Sequence, residues 1–285
     1  MSVDLRDGMP EDAAACGKIC HDAFEAIANE HKFPKDFPSP EVAADVTGMM
    51  ISHPGFYAVV AERDGTIVGS NFLDERSQIC GVGPITVDPA EQDSGVGGEL
   101  MRNVLQRAED RRAPGVRLLQ DAFHNRSFAL YTKLGFQARA TTAVLTGPAV
   151  RAEIPGLSVR PAAAADVDAC NRLCTRIHGQ GRAGEVTDAI GQGVALVVER
   201  GDRITGYTSG VGFFGHSVGE SNDDLRALIG ATPEYAGPGF HVPTDNDDLL
   251  RWCFDSGLRM VKAMTLMTLG LYNEPQGAYL PSVLY

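Results

Sequence analysis

Apolar side chains in the first half of the chain recur at two spacings. Ala13, Cys16, Cys20, Phe24 and Ile27 lie three or four residues apart and predict an amphipathic helix over residues 12–29. Short apolar runs bounded by Gly, Pro, Asn or Asp predict strands. After a first short strand ending at Arg6, helices are expected at residues 12–29, 40–52, 95–112 and 126–134, and strands at 56–62, 67–74, 79–87, 116–122 and 136–146.

The pattern occurs twice. A first block of identities lies at a constant offset of 154 residues: Arg6, Asp12, Ala15, Cys16 and Cys20 fall on Arg160, Asp166, Ala169, Cys170 and Cys174. A second block of similar residues lies at an offset of 137 residues. It predicts one hairpin in each copy, with the turn at Asp64-Gly65 in the first and at Gly201-Asp202 in the second. The offset falls because the first copy carries a longer insertion around residues 31–40.

Two tandem domains follow, at residues 1–146 and 157–285. The linker 147–156 is bracketed by Gly147-Pro148 and Pro155-Gly156. In the second copy, helices are expected at 221–231 and 248–258, and strands at 240–243, 261–268 and 279–284. Hairpins come early in the first copy and crossovers late, which predicts an α/β fold with a mixed sheet.

Composition narrows the class of protein. The 285 residues are 44% hydrophobic and 22% charged, which is typical of a globular protein rather than a disordered one. The formal net charge of −12 argues against a nucleic-acid surface. The charged N-terminus and the lack of a long apolar run predict a cytoplasmic protein without a membrane segment.

A glycine-rich turn is the main candidate for chemistry. An apolar strand ends at Val87, and Gly95, Gly97 and Gly98 then open a helix. Backbone N–H groups at such a helix start form a cradle for phosphate, so the sequence predicts a pyrophosphate site. The turn is not a dinucleotide fingerprint, because Leu100 stands where the third glycine is needed, and no Gly-Lys-Ser/Thr motif is present.

The turn resembles the pyrophosphate loop of the GCN5-related N-acetyltransferases, Gln/Arg-x-x-Gly-x-Gly/Ala, through Gln92, Gly95 and Gly97. Residues 125–136 resemble the Asn…Leu-Tyr…Leu-Gly-Phe signature of the same family. The resemblance covers residues 3–146. It implies two acetyltransferase-like domains, each with a mixed, mostly antiparallel sheet flanked by helices. The second copy lacks the loop, so a degenerate second domain is expected, which walls the substrate cleft or serves assembly.

The resemblance implies direct acetyl transfer from acetyl-CoA to an amine of a small acceptor. Tyr131 is the expected general acid that protonates the leaving thiolate. The base is left open between Asp74, Glu75, His124 and water. The residues that the family pattern places at the cofactor are Ile85, Thr86, Val87, Gln92, Asp93, Ser94, Gly95, Val96, Gly97, Gly98, Asn125 and Tyr131.

Several alternatives remain at this stage. Asn125 is either a helix N-cap or a cofactor contact. The paired cysteines of both copies, with His21 and His178 nearby, are interpreted as core rather than a metal site, and no metal is expected. Besides a small-molecule acceptor, a homodimer is one expected assembly, whereas nucleic acid and membrane partners are not expected.

Two other functions compete with the transferase. One is a non-catalytic acyl-CoA-sensing or assembly module, and the other is an acyltransferase similar to mycothiol synthase. The apolar end of the chain, residues 277–285, is expected to be docked. It forms either an edge strand of the second sheet or a segment that brings Tyr285 to the acceptor site.

Overall fold

The computed structural model describes residues 3–285. The helices of the first copy are α1 (Ala13–His31), α2 (Pro40–Ser52), α3 (Val96–Asp110) and α4 (Asn125–Lys133). Its strands are β1 (Asp4–Asp7), β2 (Phe56–Arg63), β3 (Thr66–Asp74), β4 (Cys80–Val82), β5 (Thr86–Val87), β6 (Gly115–Asp121) and β7 (Gln137–Thr146).

The second copy repeats the opening of the first and then diverges. Its helices are α5 (Val167–His178), α6 (Ala183–Gly191), α7 (Asn222–Ala231) and α8 (Asp247–Asp255). Its strands are β8 (Ser158–Pro161), β9 (Leu196–Arg200), β10 (Arg203–Thr208), β11 (Ser217–Gly219), β12 (Phe240–Pro243), β13 (Arg259–Gly270) and β14 (Ala278–Leu280).

The repeated Arg and Asp of the two copies form the same clamp. Arg6 in β1 donates hydrogen bonds to Asp12 (2.6 Å) and to Glu62 in β2 (2.6 Å). Asp12 also accepts the backbone N–H of Met9 at 2.8 Å, so it closes the turn that starts α1. The clamp therefore fixes where the first helix leaves the sheet.

In the second copy, Arg160 donates to Asp166 (2.6 Å) and to Glu199 in β9 (2.7 Å). Asp166 accepts the N–H of Ala163 at 2.8 Å. The internal repeat predicted from the sequence is thus confirmed, and the repeated Arg makes the same hydrogen bonds to Asp and Glu in both copies.

The strands form two sheets. The larger has nine strands in the order β1-β2-β3-β4-β6-β13-β7-β12, with β5 paired to β3. The smaller has five, in the order β14-β11-β10-β9-β8. All pairs are antiparallel except β4 with β6. The predicted α/β class with mostly antiparallel sheets is confirmed.

Two strands of the second copy belong to the larger sheet. β13 lies between β6 and β7, with Leu266 opposite Leu119 and Met264 opposite Thr142. β12 adds to the outer edge of β7. The described segment 147–157, which includes the predicted linker, has no helix or strand. After this segment the chain forms most of the smaller sheet and then returns to complete the larger one.

The expected strand at 79–87 is interrupted. Gly83 adopts φ +130°, and Pro84 has no N–H to donate to a ladder. The chain therefore leaves β4 and re-forms as β5, where Thr86 lies opposite Ser70 of β3. Because β4 follows β6 only as far as Gly81 and Arg117, the later residues of β6 border an open cleft.

Packing of α3 holds one wall of that cleft. Its buried residues recur at helical spacing and join the core cluster beneath the larger sheet: Val96, Leu100, Met101, Val104 and Ala108. Burying a side chain of the size of Leu or Met contributes about 1.5–3 kcal/mol. The start of α3 is thereby fixed against the sheet while its first N–H groups face outward.

The end of the chain departs in part from the expected strand at 279–284. β14 stops at Leu280 and pairs with β11, which agrees with an edge position in the second sheet. Residues 281–285 then cross to the first sheet, where Leu284 packs so closely that a Cβ on Gly81 would lie 2.3 Å from its carbonyl oxygen. The segment is docked against both sheets.

Candidate functional site

A cleft of about 1090 Å³ opens between β4–β5, β6, α1–α2 and the starts of α3 and α4. Ten of the twelve predicted cofactor residues line it: Ile85, Thr86, Val87, Gln92, Asp93, Gly95, Val96, Gly97, Gly98 and Tyr131. Ser94 and Asn125 are exposed and are not among the lining residues of the described chain. The structure therefore brings ten of the twelve positions together in one cleft, and the assignment of the set to the cofactor stays a prediction.

The glycine-rich loop has the geometry of an anion cradle. Gly95 is the N-cap of α3 with φ +93°, a conformation that favours glycine. Within residues 3–285, the backbone N–H groups of residues 93–97 have no hydrogen-bond acceptor. A Cβ on Gly97 would find its nearest neighbours at 3.8 Å, the side chains of Val87 and Leu130. These free donors and the open space at Gly97 fit a pyrophosphate group.

Two residues shape this loop from outside the glycines. Gln92 donates from Nε2 to the carbonyl of Val87 at 3.4 Å, and its Oε1 accepts from Arg126 of α4. Arg126 also lies 3.4 Å from Asp93, which adopts φ +63°. The loop is thus tied both to the strand before it and to the helix across the cleft.

Tyr131 lies in α4 on the wall of the cleft and is 6% exposed. Burial raises the pKa of its phenol, and the carboxylate of Asp121 adds to this effect. A phenol with a raised pKa keeps its proton throughout the neutral range. Tyr131 can therefore donate a hydrogen bond or a proton to a group that becomes negative inside the cleft.

The N-terminus of α4 is capped by His124 and not by Asn125, which corrects the expectation of an Asn125 cap. Nδ1 of His124 accepts the N–H of Ser127 at 3.3 Å, whereas Asn125 is already the first helical residue. His124, one of the candidate bases, also lines the cleft. Burial lowers the pKa of its imidazole, followed by the charge of Arg126.

Of the remaining base candidates, neither acid at the end of β3 lines the cleft among the described residues. Asp74 is held by Arg76 at 2.7 Å, and Glu75 by Arg107 at 2.7 Å. Glu75 borders a separate cavity of about 840 Å³. Their ion pairs and their position make both unsuitable as the base, so His124 and water remain of the original set.

The structure adds cleft residues that the sequence reading did not single out. Gln120 is 5% exposed, and within the described chain its Nε2 has no hydrogen-bond acceptor, while its Oε1 accepts from Ser127 at 2.9 Å. Lys262 of β13 donates to Asp36 at 2.6 Å and lies 2.8 Å from Asp121. Asp36 belongs to the insertion around residues 31–40 of the first copy. That insertion is the one feature of the sequence that pointed to the group of Lys262, Asp36 and Asp121.

The second copy contributes walls rather than a second cradle. Phe213, Phe214, Met264, Val283 and Leu284 line the cleft of the first sheet. In the smaller sheet, β14 occupies the edge of β11 that corresponds to the cleft edge of β4. The expectation that the second copy walls the substrate cleft therefore agrees with its position.

Tyr285 does not lie among the described lining residues of the cleft. Its ring is 1% exposed and stacks on His216, and its hydroxyl is 2.9 Å from Nδ1 of His178. The phenol is thus buried between the two copies, in a cluster with Leu119 and Met264, and the neighbouring Val283 and Leu284 reach the cleft instead.

The six cysteines are free and buried. Burial raises the pKa of the Cys16 thiol to about 11 and that of Cys170 to about 12. Cys170 and Cys174 belong to one core cluster with Leu173 and Ile177. The repeated cysteines of both copies are thus fully buried, which agrees with a packing role.

Part of the chain is similar to a known protein family. Residues 22–136 match the model of the Acetyltransferase (GNAT) family. No curated protein sequence matches the chain. Across residues 3–285, no helix combines the length and apolar character needed to cross a membrane.

Three solved structures share the fold along nearly the whole chain. A putative acetyltransferase from Pyrococcus horikoshii has a TM-score of 0.75 at 17% identity, covering 97% of this chain and 92% of that one. A GCN5-related N-acetyltransferase from Sphaerobacter thermophilus has a TM-score of 0.64 at 17% identity, covering 95% and 96%. A tandem GNAT protein from the clavulanic acid biosynthesis pathway has a TM-score of 0.57 at 14% identity, covering 94% and 98%. These three proteins therefore share the fold of nearly the whole chain, including both copies.

Proposed function

We propose that this chain, whose first copy belongs to the GNAT acetyltransferase family, transfers an acetyl group from acetyl-CoA to the amine of a small acceptor. One observation carries the proposal. The cleft joins free backbone N–H groups at the start of α3, an unpaired strand edge at β5 and a buried phenol at Tyr131. Each is suited to a different part of the thioester cosubstrate.

The loop of residues 92–98 would hold the pyrophosphate, because its donors have no other acceptor within the described chain. Ile85, Thr86 and Val87 would lie along the pantetheine arm, since Thr86 and Val87 pair only with β3 among the described strands. A backbone N–H there can stabilise the oxyanion of the tetrahedral intermediate, a contribution of about 3 kcal/mol for one well-placed donor.

The reaction then proceeds without a covalent enzyme intermediate. The neutral amine attacks the carbonyl carbon of the thioester, a C–N bond forms, and the C–S bond breaks with its electron pair on sulfur. Tyr131 donates its proton to the thiolate as it leaves. The proton of the acceptor amine passes to a base in the cleft.

Acetyl-CoA binds once per chain in this proposal, in a first domain of residues 1–146 completed by strands from the second domain. The support is that β14 fills the corresponding edge in the smaller sheet. The second domain, residues 157–285, has no loop equivalent to residues 92–98. Its contribution is to the acceptor side of the cleft.

Gly97→Glu tests the site. The open space at Gly97 accommodates a side chain without a clash inside the protein, so the fold should persist while the carboxylate repels the pyrophosphate. Isothermal titration calorimetry should show one acetyl-CoA site in the wild type and none in Gly97→Glu. Gly191→Glu, on α6 with nothing within 4 Å, is the matched control and should bind normally.

Release of CoA upon addition of amines, followed with a thiol reagent, separates a transferase from a sensor. Turnover supports the proposal. A protein that binds acetyl-CoA but releases no CoA with any amine is a sensor instead, and two sites per chain contradict the single-site assignment.

A further inference from the structure

The cleft contains a second charged group that the loop does not involve. Lys262 is 3% exposed and lies between two carboxylates, at 2.6 Å from Asp36 and 2.8 Å from Asp121. Each residue comes from a different part of the chain: the insertion after α1, the end of β6 and the strand β13 of the second copy. All three line the cleft.

The group is short of one positive charge. Lys262 supplies one cation for two carboxylates, and both acids have side chains no more than 10% exposed. Of the other charged lining residues, Lys35 pairs with Glu25, Glu91 with Arg63 and Asp93 with Arg126. Lys133 has no ion pair among the described residues, but it is exposed at the end of α4 and does not neutralise this group. Buried carboxylates are stable only with a compensating charge or hydrogen bonds. One further monocation would balance the group.

Asp121 also retains an acceptor that nothing satisfies. Its Oδ1 is buried and makes no hydrogen bond of acceptable geometry within residues 3–285, despite the nearby ammonium of Lys262. Burial raises the pKa of the Asp121 carboxyl, against the opposing effect of Lys262, and Asp36 raises it further. This carboxylate is therefore a better proton acceptor than one exposed to water.

The walls around this group are apolar and largely aromatic. Phe24 and Phe37 meet edge to face at 5.6 Å, and Phe213 and Phe214 at 5.8 Å. Nζ of Lys262 lies 5.6 Å from the centre of the Phe213 ring. An apolar part of a ligand would lose little hydration free energy on binding between these side chains, whereas a second charged group would find no counter-ion there.

We propose that the acceptor is a primary amine with one positive charge on an apolar or aromatic body, and that Asp36 and Asp121 bind its ammonium with Lys262 as a fixed third charge. The inference rests on the proposed acetyltransferase function and names its substrate class. Phe24, Phe37, Phe213 and Phe214 surround the body of the acceptor.

The same group accounts for the proton of the acceptor. The ammonium transfers one proton to the carboxylate of Asp121 and becomes the neutral amine that attacks the thioester. The C–N bond forms, the C–S bond breaks, and the thiolate takes the proton of Tyr131. Asp121 then gives its proton to water. The nitrogen loses its second proton as the amide forms, and that proton restores Tyr131. The balance is an ammonium and acetyl-CoA converted to an amide, CoA and one released proton.

Four acceptors test the substrate class, with steady-state CoA release as the readout. 2-Phenylethylamine has the single charge and the aromatic body. Phenylalanine adds a carboxylate to it, ethanolamine removes the apolar body, and spermidine adds positive charges. We expect kcat/KM for 2-phenylethylamine to exceed that of each of the others by about 10-fold or more, as expected when an unpaired charge or a lost apolar contact discriminates.

Asp36→Asn tests the charge. Because Lys262 keeps Asp121 as a partner, the variant should fold, but the group becomes neutral and loses its attraction for an ammonium. KM for 2-phenylethylamine should rise about 10- to 100-fold. The Kd of acetyl-CoA should stay close to wild type, whereas the melting temperature should fall, because Lys262 loses one of its two buried partners. Asp36→Glu should recover most of the affinity, and Asp22→Asn, an acid outside the lining of the cleft, is the control.

Calorimetry of 2-phenylethylamine against the CoA-saturated protein gives a readout that does not depend on turnover. Binding that weakens in Asp36→Asn supports the inference. Absence of acetyl-CoA binding would overturn the proposed function and this inference with it. If acetyl-CoA binds normally, three results would overturn the inference alone. They are a preference for phenylalanine, ethanolamine or spermidine, no binding of 2-phenylethylamine, and an unchanged KM in Asp36→Asn.

Discussion

Replacing Tyr131 by Phe removes one hydroxyl from a fully enclosed position. Among the described residues, no hydrogen bond joins this hydroxyl to the protein, so its removal leaves no orphaned partner. Stability should therefore change by less than about 1 kcal/mol. Any large loss of activity then reflects chemistry rather than folding.

The size of that loss follows from the surroundings of the phenol. A hydrogen bond from a buried donor to a charged group contributes about 1.5–3 kcal/mol, and this one forms only when negative charge develops on the sulfur. The corresponding decrease in kcat is about 10- to 100-fold. Because acetyl-CoA is bound by the loop of residues 92–98, its Kd should stay within about 3-fold.

A thiol reagent that detects released CoA suits this comparison, because the cysteines of the protein are buried with raised thiol pKa values and react slowly. Tyr57→Phe is the matched control, since Tyr57 bonds to Asn103 at 3.0 Å outside the cleft lining. It should leave kcat unchanged. If Tyr131→Phe retains full kcat with saturating acetyl-CoA and amine, Tyr131 is a packing residue and the thiolate takes its proton from elsewhere.

Two further predictions concern stability. Asp12→Asn should destabilise the fold by about 1–3 kcal/mol at neutral pH in urea unfolding, because Arg6 loses a charged partner, and Asp166→Asn should do the same in the second copy. Arg6 lowers the pKa of Asp12, so the stabilisation from this pair is present above the unfolded pKa near 4 and is lost as the pH falls through the lower folded pKa. The difference in unfolding free energy between the wild type and Asp12→Asn should therefore shrink in acid, and a difference that grows would contradict this. Tyr285→Phe should cost about 1–3 kcal/mol, because Nδ1 of buried His178 loses its partner at 2.9 Å, and an unchanged melting temperature would show that this bond contributes nothing.

Local patterns were sufficient to predict most elements of the first copy. The expected helix 40–52 and strand 67–74 agree within one residue with Pro40–Ser52 and Thr66–Asp74. These segments have a clear period, Pro at a helix start and a glycine turn at Asp64-Gly65. The interruption after Val82 was missed although Gly83-Pro84 marks a break in the sequence, because the flanking residues are mostly apolar and periodicity does not show where a ladder changes partners.

The loop of residues 92–98 could be predicted because its chemistry depends on neighbours in sequence. Its function requires consecutive N–H groups at one helix start, so glycine spacing is a direct signal. The cap of α4 was assigned one residue late, to Asn125, because Asn is a common N-cap and His is not. His124 has the same role through an imidazole nitrogen, which no capping preference would indicate.

The acceptor side of the cleft depends on residues that are far apart in sequence. Lys262 and Asp36 are separated by 226 positions, and each alone is an ordinary charged residue in a strand or a loop. They meet only because β13 inserts between β6 and β7 instead of joining the smaller sheet. An internal repeat predicts two similar domains, but it does not predict which sheet each later strand joins. The strand that the second copy adds to the first sheet also brings Lys262 to Asp36 and Asp121. The proposed loss of cofactor binding by the second copy and its retention in the chain would then have one explanation: it supplies a wall and a charge that the first copy lacks.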